Sequence, residues 1–357
     1  GLLGWSVSIV LKRKNDLSTR LAKKWFYYVS GFLIIVNIAD IFNNLQSVFM
    51  FYQTSASLSS FFGLVITKWI FSIGFLALGF IMPGLAGESL RSEVFPKNKF
   101  SSFLYYIKSS FFNRGLTRAV LLGYLVWVIM LGLQAVIFYN GQKFLGVWRE
   151  FNSLTDFSSA YIPLLSAFVI GVTASLSEEI TFRLFGISLA KKYLRNSILA
   201  IIVISVIWGM GHTLYAIFPV WFRIIEVSLL GIFYGFIFMR FGLIPLIVAH
   251  YLFDVFWCSA AYVLGHTTWY LFCNAIGLLC IPLILAIIAY FLNAGEQEKQ
   301  ISESLDKIQE YNLEVLVSFI SAKKFQGDSA DNIKAELINH NWDHLLVDLA
   351  MEREFHK

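Results

Sequence analysis

The chain has 357 residues, of which 57% are hydrophobic, 17% aromatic and only 14% charged. Soluble domains carry about a quarter charged residues, so this composition excludes an ordinary soluble domain. The formal net charge of +5 joins two unlike parts: residues 1–295 hold 21 basic and 10 acidic residues, and Glu296 onward holds 7 basic and 13 acidic. A basic apolar body with an acidic polar tail is expected. Membrane topology accounts for the basic residues without nucleic acid.

Residues 1–24 form a basic lead-in with Lys12, Arg13, Lys14, Arg20, Lys23 and Lys24. It opens Gly1-Leu2-Leu3 rather than on methionine, so an upstream segment is expected, and no small-residue cleavage site marks a signal peptide. Apolar blocks of roughly 20 residues can then cross a hydrocarbon core as helices. Eight such spans are read, at about 25–52, 61–83, 118–140, 158–188, 197–218, 223–240, 242–263 and 268–293. Asn37, Asp40, Asn43 and Asn44 interrupt the first, which predicts a broken or tilted helix.

The loops assign sides. Arg91, Lys97, Lys99, Lys108, Arg114 and Arg118 follow the second span, Lys191, Lys192 and Arg195 the fourth, and Arg240 the sixth. All fall on the side of the lead-in, which the positive-inside rule makes cytoplasmic. An even number of spans places both termini there. Trp148, Trp221 and Trp269 fall opposite, as an interfacial belt would. Gly231 and Gly235 predict a close helix–helix approach. Cys258, Cys273 and Cys280 lie in apolar runs and read as small core fillers.

The organisation is thus a lead-in (1–24), N-terminal membrane helices with a basic loop (25–157), a membrane core (158–293) and an acidic tail (294–357). In the tail, Ile301, Leu305 and Ile308 predict a helix leaving the membrane. Three short helices follow at about 313–322, 329–339 and 343–354, with Ser329 as an N-cap and Gly327 and Asn341 as breaks. Ile333, Leu337, Trp342, Leu346 and Leu349 would close a mini-core. The fold class is all-α, a polytopic transmembrane bundle with a small helical soluble tail, which is expected to dock a cytoplasmic partner.

Ionisable residues inside a membrane cost about 2.5–3.5 kcal/mol each when centred, on insertion scales, so they mark function or pairing. Glu178, Glu179 and Arg183 lie in the fourth span. A spacing of four lets Glu179 pair with Arg183. Adjacent carboxylates at low dielectric do not both ionise readily, so Glu178 is left as the titratable base. Arg195 marks the following turn and stands 17 residues from both Glu178 and His212, which predicts that these two meet at one depth. His250 and Asp254, four apart, bring a third helix to the same level. Among the other charges, Glu226 is expected to pair with Arg223, and Lys68 to snorkel. Trp208 and Phe182 read as packing residues.

The string Glu178-Glu179-Ile180-Thr181-Phe182-Arg183 resembles an EExxxR motif. Trp208-Gly209-Met210-Gly211-His212 resembles FxxxH, and His250-Tyr251-Leu252-Phe253-Asp254 resembles HxxxN/D. Together, over about residues 160–260, they resemble the CAAX protease and bacteriocin-processing family of intramembrane proteases, also called Abi. Trp208 departs from the usual phenylalanine, and Leu184 stands where a glycine is common. The resemblance implies an endopeptidase in which Glu178 and His212 activate a water and His250 faces the oxyanion. Asp254 would stay protonated or hold His250 from its other ring nitrogen. No cofactor is expected, with zinc on Glu178, His212 and His250 as the alternative. No HExxH occurs, which excludes the soluble zinc-protease arrangement.

The partners expected are the bilayer and a peptide or protein substrate, prenylated C-a-a-X termini among the classes the resemblance implies. The compartment expected is the bacterial plasma membrane. Two other functions stay open: a bacteriocin-immunity or scaffold protein, and a proton-coupled transporter.

Overall fold

The computed structural model describes residues 1–14, 17–95, 102–103, 114–149, 160–265, 268–292 and 307–355. Lys97, Lys99, Lys108, Ile301 and Leu305 lie outside the described residues. The chain is helical almost throughout. In order come α1 (Leu2–Lys12), α2 (Leu17–Asn43), α3 (Leu45–Phe49), α4 (Leu58–Val94) and α5 (Arg114–Leu145). Then follow α6 (Leu165–Glu178), a π-helical stretch (Glu179–Ile187), α7 (Ser188–Leu194) and α8 (Ser197–Met210). The bundle closes with α9 (Val220–Phe241), α10 (Ile244–Leu264) and α11 (Trp269–Leu292), and the tail forms α12 (Lys307–Phe325), α13 (Ala330–Asn339) and α14 (His344–Phe355).

Seven helices among the described residues are long and apolar enough to cross a membrane, and the chain is an integral membrane protein. The fifth of the eight expected spans needs correction. The segment 197–218 is helical only to Met210, 14 residues in all. Its end has a local cause. The His212 ring turns back onto the Trp208 carbonyl, Nδ1 to O 2.8 Å, and Gly211 N–H takes the same oxygen at 3.1 Å, so the last turn tightens. The chain then runs non-helically to a two-residue strand, β2 (Ile217–Phe218), which pairs antiparallel with β1 (Trp148–Arg149) beyond the end of α5.

The interrupted first span is one long helix that breaks at Asn44 and resumes for a single turn, α3. Its polar residues fasten it to α6. Asn37 Nδ2 donates to Thr173 Oγ1 at 3.0 Å, Ser166 Oγ donates to Asp40 Oδ1, and Asn44 Nδ2 donates to Ser166 Oγ at 2.7 Å. Asn43 Oδ1 takes the Ile162 N–H just before α6. Such interhelical hydrogen bonds hold membrane helices together where no hydrophobic force does.

Two of the basic clusters meet at the end of α4. Glu93, at the end of α4, binds Arg13 from the lead-in and Lys192 Nζ at 2.9 Å from α7. The lead-in is itself helical: Leu2, Ile9 and Val10 of α1 rest on buried Ala86, Leu90, Phe185 and Leu189. Across the bundle, Gly231 lets α9 meet α8 closely, since a Cβ there would lie 2.8 Å from Trp208 Cε3. Leu184 finds its room the same way. A Cβ on Gly87 of α4 would stand 2.8 Å from Leu184 Cγ, so a glycine on the facing helix replaces the one missing beside Arg183.

The tail builds its expected mini-core. Ile333, Leu337, Leu346 and Leu349 are buried, joined by Leu313, Leu316 and Ile320 of α12. Ser329 Oγ caps α13 by accepting from Asn332 N, and Gly327 and Asn341 take positive φ at the breaks. Helix α14 touches α2 and α4.

Candidate active site

The two glutamates straddle a change of helix. α6 ends at Glu178 and the π-helical stretch begins at Glu179. Widened turns of this kind shift the facing of successive side chains and recur at functional sites. Here Glu179 points into the bundle, wholly buried, while the Glu178 side chain is 29% exposed toward a cavity.

Glu179 is the centre of a buried charge cluster. Its Oε1 accepts from Arg183 Nη1 at 3.1 Å and from His250 Nδ1 at 2.7 Å. The Arg183 guanidinium carbon lies over Trp208, 4.1 Å from the ring centroid, and 5.2 Å from that of Tyr234. Cation–π contact of this sort is strongest over an indole face. The other nitrogen of His250, Nε2, stands 3.5 Å from Asp254 Oδ2. Asp254 is thus a longer-range partner of His250. Glu179, one helix away, makes the short bond, and Asp254 stands off on the cavity side.

Glu178 and His212 meet as expected, Oε2 to Nε2 3.8 Å. His212 does so from the turn beyond α8 and not from within a span. A carbonyl only accepts, so the bond from Nδ1 to Trp208 O places a proton on Nδ1. Neutral His212 then presents the Nε2 lone pair toward Glu178. Trp208 is the residue sequence reasoning missed. Beyond packing, its indole Nε1 donates to Glu178 Oε2 at 2.6 Å. The signal was present in the sequence as a tryptophan, the one large aromatic residue with an N–H, at a motif position usually held by phenylalanine.

A cavity of about 260 Å³ opens onto Glu178, His212, His250 and Asp254. Its other wall comes from Met130, Gln134 and Phe138 of α5 and from Arg149 and Arg223. Arg223 Nη1 binds Glu226 Oε2 at 2.6 Å, the pairing expected from sequence, and Gln134 Nε2 binds the other oxygen at 2.9 Å. Among the described residues no three His, Cys, Asp or Glu side chains gather as a metal-holding group. Glu178, His212 and His250 line one cavity without converging on one point.

Residues 160–256 match the family model described as Type II CAAX prenyl endopeptidase Rce1-like. The three motifs that resemble the CAAX protease family all fall within that segment. It is also similar to the sporulation-killing factor biosynthesis protein SkfC of Bacillus subtilis (strain 168), 28% identical over 127 residues. That match covers 35% of this chain and 25% of SkfC, so it spans a quarter of the relative's length. No solved structure matches the chain.

Proposed function

We propose that the chain is an intramembrane endopeptidase of the CAAX-protease-like type, hydrolysing a peptide bond near the membrane with a water held between Glu178 and His212. The observation that carries this reading is the 3.8 Å approach of Glu178 Oε2 to His212 Nε2 inside a cavity, on a segment similar to a CAAX endopeptidase family. One water can donate a hydrogen to each atom, since such bonds span about 2.5–3.2 Å. Its lone pair is then free for the scissile carbonyl. As the water oxygen bonds to the carbonyl carbon, Glu178 takes the first proton, the role of a general base. The C–N bond breaks as Glu178 returns that proton to the departing amine.

His250 supplies the oxyanion contact in this scheme. Its Nδ1–H is committed to Glu179, so an imidazolium offers Nε2–H toward the cavity. Peptides or proteins with lipidated ends, prenylated C-a-a-X termini among them, are the substrate class, and the acidic tail serves as a docking module on the cytoplasmic side.

The test is a panel of prenylated and unprenylated peptides given to the purified full chain in detergent, with metal content measured alongside. Chelator-resistant cleavage at a single bond is the expected result. Stoichiometric zinc that vanishes in both His212→Ala and His250→Ala would replace the metal-free mechanism with a zinc one. A chain that cleaves none of the panel fails as a protease, leaving the immunity or scaffold and transporter readings.

The proposed setting is the bacterial plasma membrane with both termini cytoplasmic, motivated by the meeting of Arg13, Glu93 and Lys192 at one end of the bundle. A cysteine placed in α12 of a chain lacking its own cysteines should resist membrane-impermeant reagents in intact cells and react after lysis. Labelling in intact cells would invert the scheme.

A further inference from the structure

We infer that Trp208 is a positioning residue for the catalytic pair, holding the base through its indole N–H in addition to packing beneath Arg183. The inference rests on the proteolytic reading and adds to it a group that the usual phenylalanine could not supply.

Three contacts converge on this one side chain and its carbonyl. Nε1 donates to Glu178 Oε2 at 2.6 Å, a hydrogen bond strengthened by the carboxylate charge. The Trp208 carbonyl accepts from His212 Nδ1, which fixes the ring tautomer and leaves Nε2 facing the same Glu178 oxygen. The ring face lies under the Arg183 guanidinium at 4.1 Å. Trp208 therefore touches both halves of the site, the Glu178–His212 pair and the Glu179–Arg183–His250 cluster. Its own place is set by its surroundings: the ring is buried, stacked on Tyr234 at 21° between planes, with Gly231 giving it room.

The consequence is rotational control of Glu178. A glutamate has three side-chain torsions and Glu178 is 29% exposed, so its carboxylate would otherwise wander in the cavity. Anchoring Oε2 to a rigid indole keeps the base 3.8 Å from His212 Nε2, the gap that one water bridges. Productive geometry requires this kind of second group, because small misplacements of a base cost large factors in rate.

The experiment separates the N–H from the ring. Trp208→Phe keeps an aromatic ring and loses the donor; benzothienylalanine at 208 keeps the full bicyclic shape and loses only the N–H. Both should lower kcat on the order of tenfold, the scale of one hydrogen bond to a charged group, with KM within about twofold of the wild type. The benzothienyl chain should melt in detergent close to the wild-type temperature, so its loss of rate reports the missing donor. If Trp208→Phe does not fold, the benzothienyl variant carries the test alone. Wild-type kcat in the benzothienyl chain overturns the inference and leaves the protease reading intact. A wild-type chain that cleaves no peptide overturns both.

Discussion

Glu178→Gln is expected to give a chain that folds and binds peptide yet does not cleave it. The amide keeps the shape of the carboxylate and its carbonyl can still accept the Trp208 N–H, so the helix and the cavity wall are preserved. What disappears is the group that takes a proton from water. General-base catalysis contributes about 10²–10⁴-fold, and the loss of kcat should fall in that range. His212→Ala should be similarly slow, because the water loses its second acceptor. Asp254→Asn should be tolerated, since Asp254 stands 3.5 Å from His250 Nε2 and the short bond to that ring comes from Glu179. Turnover measured beside thermal unfolding for these three variants separates chemistry from folding. Full activity in Glu178→Gln would remove the glutamate mechanism.

Arg183→Ala should act on the fold first and on activity through it. Arg183 and Glu179 are 2% and 0% exposed, and their bond is 3.1 Å. Removing the guanidinium leaves a buried carboxylate with His250 as its remaining partner and strips the cation from the Trp208 face. Breaking a buried pair from one side costs about 3–5 kcal/mol. Replacing both residues, Glu179→Gln with Arg183→Met, leaves no stranded charge and should cost less than Arg183→Ala alone. Thermal unfolding in detergent reads the difference. Simple additivity of the two single variants would mean that the pair is uncoupled.

The site was legible in sequence where the chemistry follows from spacing along one helix or across one turn. Glu179 with Arg183, Arg223 with Glu226, and the equal offsets of Glu178 and His212 from Arg195 are of that kind, and all three meet in the structure. Other features depend on tertiary packing. The bond from His250 to Glu179 joins two helices 71 residues apart, and helical spacing instead favoured Asp254. The π-helical stretch at Glu179 is a choice between hydrogen-bond acceptors that no apolar pattern records. The end of α8 was hidden for a related reason: Leu214, Tyr215, Ile217, Phe218 and Val220 prolong the apolar run past the point where the helix stops. Hydropathy registers what a segment is made of and is blind to whether its backbone still coils. In the tail, Gly327, Ser329 and Asn341 marked the turns correctly because each acts through its own backbone geometry.

The abbreviated α8 has a bearing on how water would reach the proposed site. Fourteen residues rise only about 21 Å, short of the roughly 30 Å of hydrocarbon. Non-helical chain follows it, and in a membrane such chain is tolerated only where it is sheltered by protein or bathed by water. Residues of this unwound stretch, His212, Tyr215, Ala216 and Ile217, line the cavity itself. The 197–218 segment is thus a stub helix followed by non-helical chain that lines the cavity. Under the proposed hydrolysis, this stretch is the side from which water and an extended substrate strand would reach Glu178.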